Sequence, residues 1–442
     1  MDGFTLFIIV GIGLLTTVAI AIWSFRRYEV TVFLTGLSPW LSALFIPNVP
    51  DEFQREGMGS YLRIGILLFA GTIGAIEYFR LRDRGEKLPF YLVLLGIFLS
   101  VALASTSYSI DPLYTFIRSS SFIFLFGFLL GLHVWLQDRQ RFEGILNTLF
   151  LLVSFFIIIN TVSIVIFPER VWWWNGENRF QGLWGHPNNM GSICMIAYPV
   201  LLWKYFRSTP LRRPFVLLLF VASAFMHFLT GSRASMITAF FGIFVWFFIQ
   251  KKKVKLILSL GLLCVLALFV VEFRPISLQR EEGAKLTDLT DREKFWYGSY
   301  VLLMERPLLG YGYGVEGKIW EDPRFYDTKG TLWSGSVKAS LHNGYFSIAV
   351  GLGMIGFFVW CLILFIPLWQ SRSLPFNDFK SFALTVMLMC MLLNFLESLL
   401  GGVDSLAAII FWIAWVLVGR LSNTYQEGED GQHLYDLGKS LR

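Results

Sequence analysis

Three polar clusters in an otherwise apolar sequence carry side chains that could bind an anion and move a proton. They occupy residues 178–191, 230–235 and 340–345. The first two contain Arg179 and Arg233, whose guanidinium forks suit phosphate oxygens. The third contains His342, and histidine is the side chain that most often acts as a general acid or base. These residue types favour chemistry on a phosphate-bearing substrate.

Each cluster precedes an apolar run and is expected to begin a helix. Pro187 suits the first turn of one helix, and His186 before it suits the cap. Ser340 is a plausible cap for a helix that holds His342 in its first turn. Helix N-termini present free N–H groups and about half a positive charge. We therefore expect an anion site where the three helix ends converge. The positive helix end also disfavours an imidazolium, so His342 should stay neutral, as a base must.

Four further residues could support such a site: His186, Asn188, Asn343 and Glu397. His186 is a rival to His342 as the base, although its first interpretation is the helix cap. Glu397 and Asp404 lie near the outer end of the last hairpin, and an acid at membrane depth is a functional candidate by default. No group of Asp, Glu, His or Cys has metal-ligand spacing, so we expect neither a metal nor another cofactor.

The same residues also have structural interpretations. An arginine at a helix end often serves as an interfacial anchor. A single histidine at a membrane interface is more often a hydrogen-bonded structural residue than a base. Taken one at a time, Arg179, Arg233 and His342 leave these alternatives open.

The composition places the clusters in a membrane protein. Hydrophobic residues make up 55% of the 442 residues and charged residues 15%, whereas a soluble domain carries about 25% charged residues. A soluble enzyme, a disordered chain and a nucleic-acid-binding protein are therefore excluded as function classes. The net charge of +6 is expected to report cytoplasmic loops instead of a nucleic-acid partner.

Long apolar runs predict the fold class. A bilayer core of roughly 30 Å needs about 20 apolar residues per helix. Qualifying runs begin near Phe4, Val30, Tyr61, Pro89, Thr115, Ile145, Pro187, Phe215, Ala234, Leu256, Leu341, Phe382 and Ser405. The run at residues 30–46 is the weakest, because Gly36 and Pro39 interrupt it, and whether it crosses the membrane stays open. The prediction is an all-α polytopic transmembrane bundle of about 12–13 spans.

The distribution of Lys and Arg orients this bundle. With Arg26 and Arg27 placed in the cytoplasm, basic residues fall in alternate loops, which is the positive-inside pattern. One outer segment, between about residues 274 and 340, is rich in aromatic residues and is expected to be partly folded. The predicted organisation is 1–273 with transmembrane helices 1–10, 274–340 as an extracytoplasmic loop domain, 341–420 with helices 11–13, and 421–442 as a polar cytoplasmic tail.

The sequence resembles a known family, the O-antigen ligase and polymerase superfamily of Wzy_C-type integral membrane glycosyltransferases. Four segments carry the resemblance: Arg179-Phe180-Gln181-Gly182 with Pro187-Asn188; Gly231-Ser232-Arg233-Ala234; Arg292 to Gly314; and His342-Asn343. Each motif is short, but their order and the long loop before His342 make the set fairly specific. The similarity extends over roughly residues 100–414.

The resemblance implies a reaction and a location. Members move a glycan from a polyprenyl diphosphate carrier, such as undecaprenyl diphosphate, to an acceptor hydroxyl on the periplasmic face. Ligases use a glycolipid acceptor, the lipid A core, and polymerases use another carrier-linked glycan. The implied enzyme is a metal-independent inverting glycosyltransferase in the bacterial inner membrane, with its active site facing the periplasm. Its partners would be the carrier-linked donor, the acceptor and membrane lipid, and no nucleic acid.

The polar clusters fit that chemistry. Glycosyl transfer from a diphosphate builds negative charge on the leaving oxygen, and fixed positive groups stabilise it most in the transition state. Arg179 and Arg233 are the candidates for that role. The acceptor hydroxyl must lose its proton as it attacks, and His342 is the candidate base.

Other functions remain open from the sequence. Within the superfamily, the ligase is favoured and the polymerase is the alternative. A lipid or solute transporter would also have many spans, but transporters tend to show internal repeats and polar groups near the midplane. We find no repeat, and the clusters here lie toward one face. A scaffold of an envelope-synthesis complex is the third possibility.

Overall fold

The computed structural model describes residues 27–44, 58–82, 88–172, 179–252, 292–319, 341–374 and 377–426. Within these ranges the chain forms fourteen α-helices and no strand, which confirms the predicted all-α polytopic bundle. The helices are α1 Tyr28–Leu44, α2 Met58–Arg82, α3 Phe90–Ala104, α4 Pro112–Trp135, α5 Arg139–Ile166, α6 Pro168–Val171, α7 Pro187–Arg207, α8 Arg213–Thr230, α9 Arg233–Ile249, α10 Arg292–Glu305, α11 Glu316–Ile319, α12 Gly344–Gln370, α13 Asp378–Leu393 and α14 Leu406–Gln426.

The predicted apolar runs correspond to the long helices. Among the described residues, six segments are long and apolar enough to cross a membrane: Tyr61–Arg80, Phe90–Ser107, Pro112–Trp135, Arg139–Ile166, Arg213–Thr230 and Gly344–Ser373. Helix α9 and residues Leu406–Ser422 of α14 are shorter apolar helices. The runs beginning near Phe4 and Leu256 lie outside the described residues, as do most of the predicted loop domain and most of the tail. Every other predicted run coincides with a helix.

The weakest predicted run, at residues 30–46, forms helix α1. At its start, the Tyr28 hydroxyl donates to Phe128 O in α4. Further along, Trp40 packs edge-on against Phe155 and Phe156 of α5, with ring centroids 5.3 and 5.9 Å away. A 17-residue helix is about 25 Å long, slightly shorter than a bilayer core of roughly 30 Å. Helix α1 is therefore an integral part of the bundle.

The described parts of several basic loops lie together at one end of the bundle, which we call the basic end. Arg207 after α7 pairs with Asp378 at 2.8 Å and with Glu143 at 3.5 Å. Gln250 after α9 donates to Asp378 at 3.0 Å. Arg420 of α14 donates to Leu136 O at 2.9 Å. The opposite end holds Glu397, between α13 and α14, and is called the Glu397 end.

Helix α14 is the centre of the bundle and is enclosed on all sides. Its residues from Leu406 to Val418 are fully buried. The Trp412 ring packs edge-on to Trp360 of α12 at 5.7 Å, and Trp415 Nε1 donates to Ile363 O at 2.8 Å. These contacts place α12 firmly against α14, and α12 begins at the Glu397 end.

Helices α2 and α4 pack with their backbones in contact. A Cβ placed on Gly71 would lie 2.4 Å from Phe124 O, and one on Gly131 would lie 2.4 Å from Gly74 Cα. Small residues at such positions let membrane helices approach closely. The close packing holds the ends of α2 and α4 side by side at the Glu397 end.

Helix α12 is interrupted at Gly353, where the segment after α10 docks against it. Gly353 has φ 64° and ψ −171°. Around this break, Met354 N donates to Pro307 O at 2.8 Å and Gly312 N donates to Gly351 O at 2.8 Å. Gly310, Gly312 and Gly314 have positive φ. The break therefore turns α12 backbone groups toward the 307–314 segment.

We predict that Gly353→Ala lowers the free energy of unfolding by about 1–3 kcal/mol, because this backbone conformation is essentially restricted to glycine. An added Cβ would also lie 2.2 Å from the Leu308 carbonyl carbon. Thermal unfolding of the purified protein in detergent measures the effect. Gly65→Ala in α2 is the matched control, since nothing lies within 4 Å of its Cβ position. Equal melting temperatures for the two variants would contradict the assignment.

Candidate active site

The carboxylate of Glu397 joins three segments that are far apart in the sequence. Its Oε1 accepts from Asn188 Nδ2 at 3.0 Å and from Arg292 Nη2 at 2.8 Å. Its Oε2 lies 3.2 Å from His342 Nδ1. The Glu397 side chain is 19% exposed. A largely buried carboxylate is thus shared by the start of α7, the start of α10 and His342, which lies just before α12.

The start of α7 follows the sequence prediction. Pro187 occupies the first helical position and His186 is the cap, with its Nδ1 accepting from Asn188 N at 3.1 Å. That nitrogen of His186 is therefore an acceptor, which leaves the proton of the neutral ring on Nε2. The cap interpretation of His186 is confirmed, and the cap directs Asn188 toward Glu397.

Arg179 connects Asn188 to the end of α8. Its Nη2 donates to Asn188 Oδ1 at 2.8 Å, and its Nε donates to Thr230 O at 2.7 Å. Thr230 is the last residue of α8, so the guanidinium also meets the negative end of that helix dipole. The Arg179 side chain is almost fully buried. Asn188 therefore links Arg179 to Glu397, and the positive charge of Arg179 lies close to the start of α7.

Arg233 is the first residue of α9, which begins directly beside α7. Gly231 caps α8 in a left-handed conformation, with φ 59°, and so allows the immediate reversal into α9. A Cβ placed on Gly191 of α7 would lie 2.7 Å from Ser232 Cβ and 2.6 Å from Ser235 Oγ. The first turns of α7 and α9 are therefore in contact. Arg233 itself is partly exposed.

The position of His342 differs from the prediction. Helix α12 begins at Gly344, and Asn343 is its cap, with Oδ1 accepting from Tyr345 N at 3.0 Å and from Phe346 N at 3.1 Å. His342 thus precedes the cap instead of lying in the first turn, and Ser340 lies outside the described residues. Asn343 caps this helix, and its supporting role in the site stays a prediction.

The backbone of His342 adopts a left-handed conformation, with φ 47°. Such a conformation is uncommon for residues other than glycine, and it is frequent at functional sites. The ring is 31% exposed and meets Phe295 of α10 edge-on at 5.6 Å. The imidazole is therefore held between Phe295 and Glu397 while part of it stays accessible.

The helix start is fixed from the other side by Asn394. Gly344 N donates to Asn394 O at 2.8 Å, and a Cβ on Gly344 would lie 2.1 Å from Asn394 Oδ1. Asn394 Oδ1 also accepts from Leu399 N at 3.0 Å and Leu400 N at 2.9 Å. The turn that carries Glu397 is therefore fastened to the start of α12, two residues from His342.

Glu397 is stabilised as a carboxylate. Burial by itself would raise its pKa, but the hydrogen bond and charge of His342, together with the charge of Arg292, hold the pKa of Glu397 below its usual value. An ionised carboxylate can only accept hydrogen bonds, so His342 Nδ1 carries the proton between the two groups. When the imidazole is neutral, Nε2 is its proton acceptor, which is the arrangement that orients a catalytic histidine base.

The sequence reasoning missed two members of this group. Arg292 and Phe295 lie within one of the segments that carried the family resemblance, but neither was singled out as a site residue. Their partners, Glu397 and His342, are far away in the sequence, and no local signal predicts these pairings. No group of three His, Cys, Asp or Glu side chains in the described part of the chain could hold a metal ion.

Residues 218–361 match the family model described as O-antigen ligase, Wzy_C. The match confirms the resemblance to the O-antigen ligase and polymerase superfamily. No curated protein sequence matches the chain. The matched region includes Arg233 and His342, whereas Arg179, Asn188 and Glu397 lie outside it. With the six long apolar helices, the match identifies a multi-pass membrane protein.

The lowered pKa of Glu397 predicts how stability depends on pH. A carboxyl whose pKa is lower in the folded state stabilises the fold above its ordinary pKa, 4.5, and this contribution is lost as the pH falls through the folded-state pKa. We predict that wild-type protein melts at a higher temperature than Glu397→Gln at pH 7, and that the difference shrinks as the pH is lowered from 5 to 3.

Glu169→Gln, which changes an exposed acid at the same end, serves as the control and should follow the wild type throughout. A difference between wild type and Glu397→Gln that stays constant over the acid range would contradict the stabilised carboxylate.

Proposed function

We propose that the protein is an O-antigen ligase-like glycosyltransferase that moves a glycan from a polyprenyl diphosphate carrier, such as undecaprenyl diphosphate, to an acceptor hydroxyl. The family match supports a transferase of lipid-linked glycans. The observation that carries the proposal is the contact between His342 and Glu397 beside the starts of α7 and α9. A base and a set of positive groups are then adjacent, as the reaction requires.

In the proposed reaction, His342 Nε2 accepts the proton of the acceptor hydroxyl. The acceptor oxygen attacks the anomeric carbon as the bond from that carbon to the phosphate oxygen breaks, and the carrier leaves as its diphosphate. Attack opposite to the leaving group inverts the configuration. Glu397 orients the ring and stabilises the imidazolium that forms, while Arg292 and Asn188 hold Glu397 in place.

Positive groups act on the leaving diphosphate. Arg233 is partly exposed at the first position of α9, where free backbone N–H groups and the helix dipole add to its charge. Arg179 is buried and hydrogen-bonded to Asn188 and Thr230. It contributes its positive charge through its position close to the start of α7. These groups are preorganised and stabilise charge that develops on the leaving oxygen.

The distribution of basic residues supports an orientation. The positive-inside rule assigns the basic end to the cytoplasm and the Glu397 end to the periplasmic side of a bacterial inner membrane. The donor diphosphate carries its own energy in the phosphoester bond, so the reaction needs no nucleotide there. The ligase and polymerase alternatives differ in the acceptor, and product size separates them.

We predict that His342→Ala lowers the rate of glycan transfer by about 10²–10⁴-fold, which is the usual contribution of one positioned base. The assay is transfer from a purified carrier-linked oligosaccharide to a glycolipid acceptor by the purified protein. His433→Ala, near the end of the sequence, is the control and should keep the wild-type rate. A folded His342→Ala protein that transfers at a near-normal rate would exclude this base.

We predict that Arg233→Gln weakens the use of the carrier-linked donor, because one guanidinium contact to the diphosphate is lost. In the same assay, kcat/KM for the donor should fall by about tenfold or more, with little change in the KM for the acceptor. Arg213→Gln at the basic end is the matched control. If only acceptor use suffered in Arg233→Gln, the diphosphate role would be wrong.

A further inference from the structure

A second polar cluster lies at the Glu397 end, outside the proposed active site. Asp404, just before α14, lies between Arg63 of α2 and Arg118 of α4. Arg63 Nη1 is 2.8 Å from Asp404 Oδ1, and Arg118 Nη1 donates to Asp404 Oδ2. A small cavity of about 30 Å³ opens beside them and is bordered by the same three side chains and by Tyr313. One carboxylate therefore faces two guanidinium groups.

The cluster has more hydrogen-bond donors than acceptors. Each guanidinium carries five N–H groups, and the carboxylate of Asp404 has only two oxygens. Arg63 Nε is buried and finds no acceptor among the described residues. A buried donor without an acceptor is costly, so the cluster gains stability from an additional anionic oxygen.

The charges of the neighbouring residues also favour an additional anion. Lys318 lies near this cluster, since its Nζ and the Arg118 guanidinium both lie over the Tyr114 ring, at 5.5 and 5.8 Å. Glu316 is the second acid nearby, and burial raises the pKa of Glu316 above its usual value. Three basic groups thus meet two acids, one of which is hard to ionise.

The cluster is partly exposed beside apolar side chains that are expected to face lipid. Arg63 lies near the start of α2 and Arg118 near the start of α4, at the end of the bundle that would meet the headgroup layer. Neighbouring apolar side chains point outward: Tyr61 is 74% exposed, Phe116 51% and Ile117 41%. In a membrane bundle such side chains contact acyl chains. The Asp404 side chain is 38% exposed and is therefore accessible as well.

We propose that Arg63 and Arg118 form a binding site for the phosphate group of a membrane lipid, which takes the place of Asp404 between them. Each guanidinium can bind a phosphate through two parallel N–H···O bonds. A carboxylate that is shared between two arginines leaves much of this donor capacity unused. Asp404 occupies the guanidinium groups when no lipid phosphate is present. The proposal does not depend on glycan transfer.

The two sites share one segment of the chain. Tyr313 donates from its hydroxyl to Gly401 O at 2.7 Å, and Ser398 Oγ lies 3.0 Å from Ser347 Oγ of α12. The segment from Asn394 to Asp404 therefore carries Glu397 on one side and Asp404 on the other. A lipid phosphate at Arg63 and Arg118 would lie beside the proposed active site without occupying it.

The test measures binding of phosphatidic acid to the full-length protein in detergent by native mass spectrometry. Diacylglycerol with the same acyl chains lacks the phosphate, and inorganic phosphate lacks the chains. We expect saturable binding of phosphatidic acid, no comparable binding of diacylglycerol, and no competition by inorganic phosphate at the same concentration. Equal competition by inorganic phosphate would overturn the assignment to a lipid.

Variants separate a phosphate site from a purely structural ion pair. Arg63→Gln with Arg118→Gln should weaken phosphatidic acid binding by about tenfold or more. Asp404→Asn removes the competing carboxylate and should bind at least as tightly as wild type. Arg139→Gln, which breaks an ion pair with Glu143 at the basic end, is the matched control and should bind normally.

The Asp404→Asn arm keeps both arginines and therefore tests the proposal even if the double variant does not fold. Unchanged binding in a folded double variant would contradict the proposal. Loss of binding in folded Asp404→Asn would also contradict it, because the carboxylate would then be required instead of competing.

Discussion

The carboxylate of Glu397 is the contact on which the proposed active site depends. Asn188, Arg292 and His342 come from three segments that share no local sequence relationship, and each bonds to this one group. Removing ions from water is costly unless they are paired and hydrogen-bonded. A largely buried carboxylate at a membrane-helix end therefore requires these partners, and meeting that requirement brings the candidate base close to the starts of α7 and α9.

The surrounding bundle makes this convergence possible. The enclosed helix α14 and the tryptophans that pack on it fix α12, and the break at Gly353 admits the segment that follows α10. Asn394 then ties the Glu397 turn to Gly344. The cluster of Arg63, Arg118 and Asp404 obeys the same electrostatic constraint on the other side of that turn, but it leaves donors unused. One end of the bundle thus holds two ionic clusters. The partners of Glu397 bond to its carboxylate, whereas in the cluster around Asp404 a guanidinium N–H of Arg63 lacks an acceptor.

Much of the architecture could be predicted from local sequence. Apolar runs predicted the helices, and the His186-Pro187 pair predicted the start of α7, because both signals depend on neighbouring residues. The pairing of Glu397 with Arg292 could not be predicted, since it joins positions that only the tertiary fold brings together. The start of α12 was placed too early for a similar reason: Gly344 is fixed by its contact with Asn394. That contact leaves His342 before the helix, in a left-handed conformation, instead of within its first turn.

The coupling between His342 and Glu397 tests the central claim most directly. Single-turnover transfer rates should be measured for wild type, His342→Ala, Glu397→Gln and the double variant, with each protein shown to be folded. If Glu397 acts by orienting the base, the double variant will be about as slow as His342→Ala alone, because groups that act as a unit are not additive. Losses that multiply in the double variant would show that the two residues act independently and would contradict the proposed pair.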